Sequence, residues 1–111
     1  MPPTGPNRQW VLAARPQGAV RESDFRLVES PLAPLEPGQF RIRTLFLGVA
    51  AVMRGYMLNT EKFERPLEIG DVMHGRGVGR IVESRHPDYA VGEIVHGKLG
   101  WQDYAVADGS P

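Results

Sequence analysis

Two thioethers, a guanidinium and a phenol lie within five consecutive residues, Met53-Arg54-Gly55-Tyr56-Met57. The segment directly follows an apolar stretch, so these side chains would lie just after the end of a strand. The spacing also fits a short amphipathic helix with Met53 and Met57, four residues apart, on its core face. On residue types alone the packed helix is the favoured interpretation, and a functional role for the segment is the weaker alternative.

A glycine cluster, Gly75-x-Gly77-x-Gly79, is the second feature that could carry chemistry. Phosphate-binding loops use glycine to bring backbone N–H groups to the phosphate, and they continue into a helix. Here the chain continues at 81–83 with Ile-Val-Glu, which is typical of a strand. We therefore interpret the glycines as points where a strand bends and packs closely against its neighbour.

The histidines do not form a recognisable catalytic or metal-binding pattern. His74, His86 and His96 are ten or more residues apart, and the sequence contains no cysteine. A zinc site would have to collect them from separate strands. Neither a Ser-His-Asp order nor a Gly-x-Ser-x-Gly elbow is present. The sequence thus predicts no metal site and no catalytic residue, and His74 stays of interest because it adjoins the glycine cluster.

Composition limits the class of protein. The 111 residues are 41 % hydrophobic and carry 13 basic and 13 acidic side chains, so we expect no nucleic-acid partner. An anionic membrane surface is an equally poor partner, and no apolar run reaches the roughly 18–20 residues of a membrane span. The absence of cysteine and of a signal peptide fits a cytoplasmic location. We predict a disordered proline-rich leader at 1–6 and one domain at 7–111.

Glycine and proline are dispersed between short apolar segments, which favours a mainly β domain. Apolar and charged residues alternate at 25–29 and in the first half of 39–49, as in strands with one buried face. The second half of 39–49 is apolar throughout, which predicts burial on both faces. A polar loop is expected at 59–66. We predict a short helix at 50–58 and strands at 9–14, 25–29, 39–49, 72–84, 93–97 and 101–107.

The order of these segments resembles the start of the zinc-independent medium-chain dehydrogenases/reductases. Within that group the nearest branch is that of prostaglandin and leukotriene reductases, plant double-bond reductases and bacterial curcumin reductases. The resemblance extends over residues 7–110. It is carried by the segments 7–13, 25–29, 37–39, 53–55, 77–79, 82–84, 86–95 and 100–106.

The resemblance implies a GroES-like, partly open β-barrel with one or two short helices that forms one wall of a cleft. A following Rossmann domain, absent from this chain, would bind NADPH, so the isolated chain would bind no cofactor and be inactive. Family members reduce the C=C bond of α,β-unsaturated ketones or aldehydes by hydride transfer, without a metal. The alternative is a non-catalytic barrel that binds a partner or forms a homodimer through its apolar surface.

The resemblance also implies which residues line the cleft: Val52, Met53, Arg54, Gly55, Tyr56, Arg76, Trp101 and Gln102. Family members read Asp-Pro-Tyr-Met-Arg at 50–54, so Val52 stands where a tyrosine is thought to face the substrate. Plant double-bond reductases carry a second tyrosine where this chain has Arg76. That arginine can replace the lost hydrogen-bond donor, favour an anionic substrate or mark relaxed selection, and the sequence leaves the three open.

Overall fold

The computed structural model describes residues 5–50, 52–58 and 67–110. Most of the predicted leader and all of the predicted loop at 59–66 lie outside these ranges. No helix within them is long and apolar enough to cross a bilayer. The elements are β1 (Asn7–Leu12), a 3₁₀ turn (Glu22–Asp24), β2 (Phe25–Ser30), β3 (Phe40–Leu47), α1 (Val52–Leu58), β4 (Gly77–Ser84), β5 (Ile94–Gly97) and β6 (Tyr104–Ala107).

The strands form two antiparallel sheets. β1 and β2 make a two-stranded ribbon, and the remaining strands make a four-stranded sheet in the order β5-β4-β3-β6. Two isolated bridges connect the ribbon to the rest of the molecule, Gln9 with Gln102 and Val11 with Val72. The sheets do not close on one another, so the predicted mainly β, partly open architecture with short helices is confirmed.

Two apolar clusters form the core. In α1, Met53 and Met57 are 7 % and 2 % exposed, which confirms that their spacing places them on the core face. They pack with Leu12, Leu67 and Met73, so α1 is anchored to the ribbon and to the segment before β4. The second cluster fills the space over the four-stranded sheet and consists of Phe40, Ile42, Ile81, Leu99 and Ala105.

The buried guanidinium of Arg41 departs from the alternation expected in β3. Arg41 is only 4 % exposed, pairs with the Glu83 carboxylate opposite it on β4, and donates to the Ala33 carbonyl oxygen. A buried charge is costly unless it is paired and hydrogen-bonded. Its two partners therefore attach the proline-rich connection between β2 and β3 to the sheet.

The second half of β3 is not buried on both faces, so that prediction is wrong. Leu45 and Phe46 expose 43 % and 72 % of their surface, and Val49, two residues past the end of β3, exposes 82 %. The reason lies in strand length, because β6 pairs with β3 only from Phe40 to Arg43. Beyond that point no strand of the described chain covers this edge of β3.

The glycines of β4 allow it to approach β3 closely. A Cβ at Gly79 would lie 2.6 Å from the Arg43 carbonyl oxygen and would also collide with the Ile42 side chain. A Cβ at Gly77 would lie 2.5 Å from the Phe46 carbonyl oxygen. The interpretation of this cluster as a site of close strand packing is therefore confirmed.

Two strands begin later than predicted, β4 at Gly77 and β6 at Tyr104. The segments that precede them run beside β1 instead of joining the four-stranded sheet. The Met73 N–H donates to the Trp10 carbonyl oxygen, and the Trp10 N–H donates to the Trp101 carbonyl oxygen, both at 2.9 Å. β1 thereby holds together the segments that precede β4 and β6.

An exposed ion pair strengthens the junction between β1 and the residues just before β6. The Arg8 guanidinium donates to both oxygens of the Asp103 carboxylate, at 2.8 and 3.0 Å. Hydrogen bonding from this side chain lowers the pKa of Asp103 below its ordinary value. The carboxylate consequently stays charged, and the pair intact, over the whole neutral range.

Candidate functional site

A cleft of about 570 Å³ lies beside α1. Its walls come from the connection between β3 and α1, from α1 itself, from the segment before β4, and from the connection between β5 and β6. Residues distant in sequence therefore converge on one space. The lining consists of Gly48, Val49, Ala50, Met53, Tyr56, Val72, His74, Gly75, Arg76, Lys98, Leu99, Gly100 and Gln102.

Backbone hydrogen bonds fix the cleft walls to one another. The Gly48 N–H donates to the Arg76 carbonyl oxygen at 2.8 Å, and the Gly100 N–H donates to the Gly75 carbonyl oxygen at 3.0 Å. Gly100 has a φ of +75°, which side-chain-bearing residues adopt only with strain. The segment before β4 is therefore held from both sides, and the side chains that it carries start from fixed positions.

Tyr56 and His74 face each other at the edge of the cleft. Their ring centroids are 5.9 Å apart with an interplanar angle of 74°, an edge-to-face contact. Both residues line the cleft and are partly buried, so the phenol combines a packed ring with a polar tip. This arrangement gives the cleft a hydrogen-bond donor whose ring is restrained by its neighbour.

Four of the predicted site residues line the cleft, namely Met53, Tyr56, Arg76 and Gln102. Arg54 is exposed, and its guanidinium instead donates to the Gly18 carbonyl oxygen at 2.6 Å. Gly55 and Trp101 are not among the lining residues. The side chain of Val52 lies outside the described part of the structure.

Trp101 lies behind the cleft wall and packs against it. Its ring stacks on Phe25 with centroids 5.3 Å apart and packs against the cluster that contains Met53. A Cβ at Gly75 would come within 2.9 Å of the Trp101 Nε1 atom. That nitrogen is buried and has no hydrogen-bond partner in the described structure. Gly75 is therefore required so that the cleft wall can lie directly on the indole.

Gln102 uses its whole amide group to hold neighbouring backbone and side chains. Its Oε1 atom accepts from Asn7 Nδ2 at 3.0 Å and from Gln9 Nε2 at 2.9 Å. Its Nε2 atom donates to the Leu99 carbonyl oxygen at 2.9 Å. Gln102 thus positions the 98–100 wall of the cleft and joins it to β1.

Replacing Gln102 by methionine is expected to lower the free energy of unfolding by about 2 kcal/mol, because partly buried partners on three residues lose their hydrogen bonds. Urea denaturation followed by circular dichroism measures this change. Gln39→Ala is the control, since its side chain accepts one exposed bond from the Glu36 N–H, and should cost less than about 0.5 kcal/mol. Equal costs for the two variants would contradict the assigned role.

Sequence reasoning missed the lining residues contributed by the β5–β6 connection, Lys98, Leu99 and Gly100. No motif marks them, because they reach the cleft through long-range backbone contacts. His74 and Gly75 were signalled by the glycine cluster, and Val49 and Ala50 by the apolar strand end. Within the described ranges no group of three or more His, Asp or Glu side chains could hold a metal ion.

The cleft combines an apolar wall, formed by Val49, Ala50, Met53 and Leu99, with a few polar groups at fixed positions. Small-molecule sites typically have this composition, in which the apolar wall contributes affinity and the polar groups fix orientation. No paired carboxylates and no activated nucleophile line it among the described residues. The arrangement can bind and orient a mainly apolar molecule, and it can donate hydrogen bonds to it.

Comparison with known proteins identifies the family of this domain. Residues 8–111 match the model of a family described as the N-terminal domain of oxidoreductase. The chain is 47 % identical over 103 residues to the NADPH-dependent curcumin reductase of Escherichia coli, covering 93 % of the chain and 30 % of that enzyme. It is 35 % identical over 102 residues to prostaglandin reductase 1 of Oryctolagus cuniculus, covering 92 % of the chain and 27 % of the relative.

Solved structures agree with this assignment. The crystal structure of CurA from Vibrio vulnificus superposes with a TM-score of 0.88 at 38 % identity, covering 94 % of this chain and 31 % of that one. The same protein in complex with NADPH gives a TM-score of 0.86, with 93 % and 31 % covered. The chain spans about 30 % of the length of its curated relatives. It belongs to the medium-chain dehydrogenases/reductases, as an oxidoreductase N-terminal domain of the branch that includes curcumin and prostaglandin reductases.

Proposed function

We propose that this domain is the substrate-side part of an NADP-dependent oxidoreductase that reduces the C=C bond of α,β-unsaturated ketones or aldehydes. The observation that carries the proposal is the cleft beside α1, which combines apolar side chains with hydrogen-bond donors, in a domain 47 % identical to a protein named NADPH-dependent curcumin reductase. A site of this composition suits an uncharged, conjugated and mainly apolar reacting group.

This chain provides one wall of the active site, and the rest of the protein would hold the cofactor. The glycine cluster does not fit a dinucleotide, because Gly77 and Gly79 are packed against β3 and lie within strand β4 instead of opening a helix. When bound, NADPH supplies the hydride that is added to the β-carbon of the substrate. The isolated domain cannot hold both reactants at reacting distance and is therefore inactive.

Tyr56 is the residue of this chain that would assist the reaction. Addition of hydride to the β-carbon moves negative charge onto the carbonyl oxygen of the substrate, and a donor placed there stabilises the transition state. Val52 carries no such donor. Tyr56 lies one helical turn further along α1, lines the cleft and has its ring restrained by His74. We assign its phenol O–H to the substrate carbonyl.

Oxidation of NADPH with a simple aliphatic enone tests the proposal. We expect turnover by the full-length protein that contains this domain and none by the isolated 111-residue chain, because only the former can bind both reactants. Absorbance of the reduced nicotinamide follows the reaction. Absence of turnover across a panel of enones, aldehydes and quinones would reject this function.

A second function, self-association of a non-catalytic barrel, is favoured by one observation. Phe46, near the uncovered end of β3, and Val49, two residues past that end, are 72 % and 82 % exposed. Exposed apolar surface of this kind tends to pair with another surface. Sedimentation of the isolated chain tests this second function: a stable dimer favours it, and a monodisperse monomer argues against it.

A further inference from the structure

The apolar contacts of α1 do not by themselves fix its orientation. Its buried side chains, Met53 and Met57, pack in the apolar cluster beside the ribbon. Apolar burial is favourable in proportion to the area buried and has no preferred direction. A helix of seven residues is also too short to be stable on its own. Directional polar contacts are therefore what can fix α1, and with it the direction of Tyr56, which lines the cleft.

Arg15 makes the first such contact, from the connection between β1 and the 3₁₀ turn, residues 13–21. Its Nη1 atom donates to the Met57 carbonyl oxygen at 2.7 Å and to the Leu67 carbonyl oxygen at 2.6 Å. The last carbonyl groups of a helix have no partner within the helix, and a cation at this end is favourable. Arg15 therefore satisfies the end of α1 and ties it to the segment that leads to β4.

The backbone that carries Arg15 is itself anchored. The Ala13 and Ala14 N–H groups both donate to the Asp24 carbonyl oxygen, at 2.7 and 3.2 Å. On the other side Pro16 follows directly, is buried and restricts the conformation of the residue before it. The guanidinium of Arg15 thus reaches α1 from a fixed starting point.

Arg54 makes the reciprocal contact, from α1 back to the 13–21 connection. Its Nη2 and Nε atoms donate to the Gly18 carbonyl oxygen at 2.6 and 3.3 Å. Gly18 has a φ of +79°, in the region that favours glycine, so the direction of this carbonyl group depends on the glycine. One arginine of the connection therefore binds α1, and one arginine of α1 binds the connection.

Tyr56 lies between the two contact points on α1, two residues after Arg54 and directly before Met57. Two contacts with the same connection restrain the rotation of α1 more than either contact alone. Among the described residues that line the cleft, neither Arg15 nor Arg54 is included. Any effect of the two arginines on a ligand in the cleft therefore passes through α1 and the side chains that it carries.

We propose that Arg15 and Arg54 are positioning residues, which orient α1 so that the phenol O–H of Tyr56 meets the carbonyl oxygen of the substrate. This inference rests on the reductase function and on the role of Tyr56 proposed above. It also gives Arg54 a role in place of the one that the family resemblance implied, since its guanidinium is directed to Gly18 and not to the cleft.

The test is a double-mutant cycle on the full-length enzyme with a simple aliphatic enone. Arg15→Met is expected to lower kcat by about 10-fold, because a displaced phenol loses its alignment with the developing oxyanion. The KM for the enone should change by less than about 2-fold, since no lining residue is removed. In a Tyr56→Phe background the same substitution should lower kcat by less than about 2-fold, because the group through which Arg15 acts is already gone.

Arg54→Met is the second variant, and it applies equally if Arg15→Met does not fold. Its contact with Gly18 is exposed, so its loss should cost less stability while showing the same dependence on the Tyr56 phenol. Equal factors of kcat loss with and without that phenol would overturn the proposal, because the arginines would then not act through Tyr56. A wild-type kcat in both arginine variants would overturn it as well.

Arg85→Met is the matched control. Arg85 also donates from Nη1 to a backbone carbonyl oxygen, that of Leu35 at 2.9 Å, but it follows β4 and does not line the cleft beside α1. Its replacement removes a comparable contact at a distance in sequence from α1. The kcat of this variant should stay within about 2-fold of wild type.

Amide hydrogen exchange of the full-length protein tests the positioning without turnover. Arg15→Met and Arg54→Met should each raise the exchange rate in α1 by about 10-fold and leave β3 and β4 unchanged, since only a local contact is lost. Arg85→Met should leave α1 at the wild-type rate. If the wild-type protein reduces no enone, the reductase function fails, whereas faster exchange confined to α1 still assigns its positioning to the two arginines. Unchanged exchange in α1 overturns that assignment.

Discussion

Replacing Tyr56 by phenylalanine should lower the kcat of the full-length enzyme by about 100-fold for an uncharged enone, because a donor to the developing oxyanion is lost. The KM for that enone should change little, since the ring and its contact with His74 remain. Steady-state kinetics with NADPH and the enone measure both constants. The split between kcat and KM distinguishes a role in the transition state from a packing role.

Tyr104→Phe is the control for this substitution. Tyr104 lies at the start of β6, is partly buried and does not line the cleft beside α1. Its replacement should leave kcat within about 2-fold of wild type. If kcat for Tyr56→Phe equals the wild-type value, the phenol O–H takes no part in the reaction. The contribution of α1 would then be limited to apolar contacts with the substrate.

Gly79→Ala should lower the free energy of unfolding by about 3 kcal/mol or more, since the new methyl group overlaps backbone and has no free space. Its Cβ would lie 2.6 Å from the Arg43 carbonyl oxygen. Neither strand can move away easily, because β3 and β4 pair along most of their length. Urea denaturation of the chain measures the change.

Gly97→Ala provides the comparison within the same sheet. Gly97 pairs with Gly77 across β4 and β5, yet nothing lies within 4 Å of a Cβ at this position. We expect a change below about 0.5 kcal/mol in either direction. If both alanine variants lose the same stability, intrinsic strand propensity and not close packing explains the role of glycine in β4.

Local sequence patterns predicted the features that depend on neighbouring residues. The spacing of Met53 and Met57 placed them on the core face, and the strand-like residues after Gly79 distinguished a packed strand from a phosphate loop. Alternation of apolar and charged residues located the strands at 25–29 and in the first half of 39–49, but not their buried faces, because Leu27 is 49 % exposed and Arg41 is buried. In each case the relevant residues lie only a few positions apart in sequence, so the local backbone conformation determines where their side chains are placed.

Features that depend on distant partners were not predictable. Arg41 is buried because Glu83, 42 positions away, neutralises it, and nothing in the local alternation reveals that pairing. Phe46 is exposed because β6 is too short to reach it, so an apolar run was interpreted as a buried one. Lys98 joined the cleft for the same reason: strand pairing between β4 and β5 brings it beside Arg76.

The two tryptophans of the domain differ in exposure, and their intrinsic fluorescence can therefore be used to follow events in the cleft. Trp10 is 43 % exposed on β1, whereas the Trp101 indole is partly buried between Phe25 and the wall of the cleft at Gly75. The sequence has no further tryptophan, so substituting Trp10 by phenylalanine leaves a single tryptophan directly behind the cleft. Its emission then reports on occupancy of the cleft in real time, with no label attached and before any substrate has been identified.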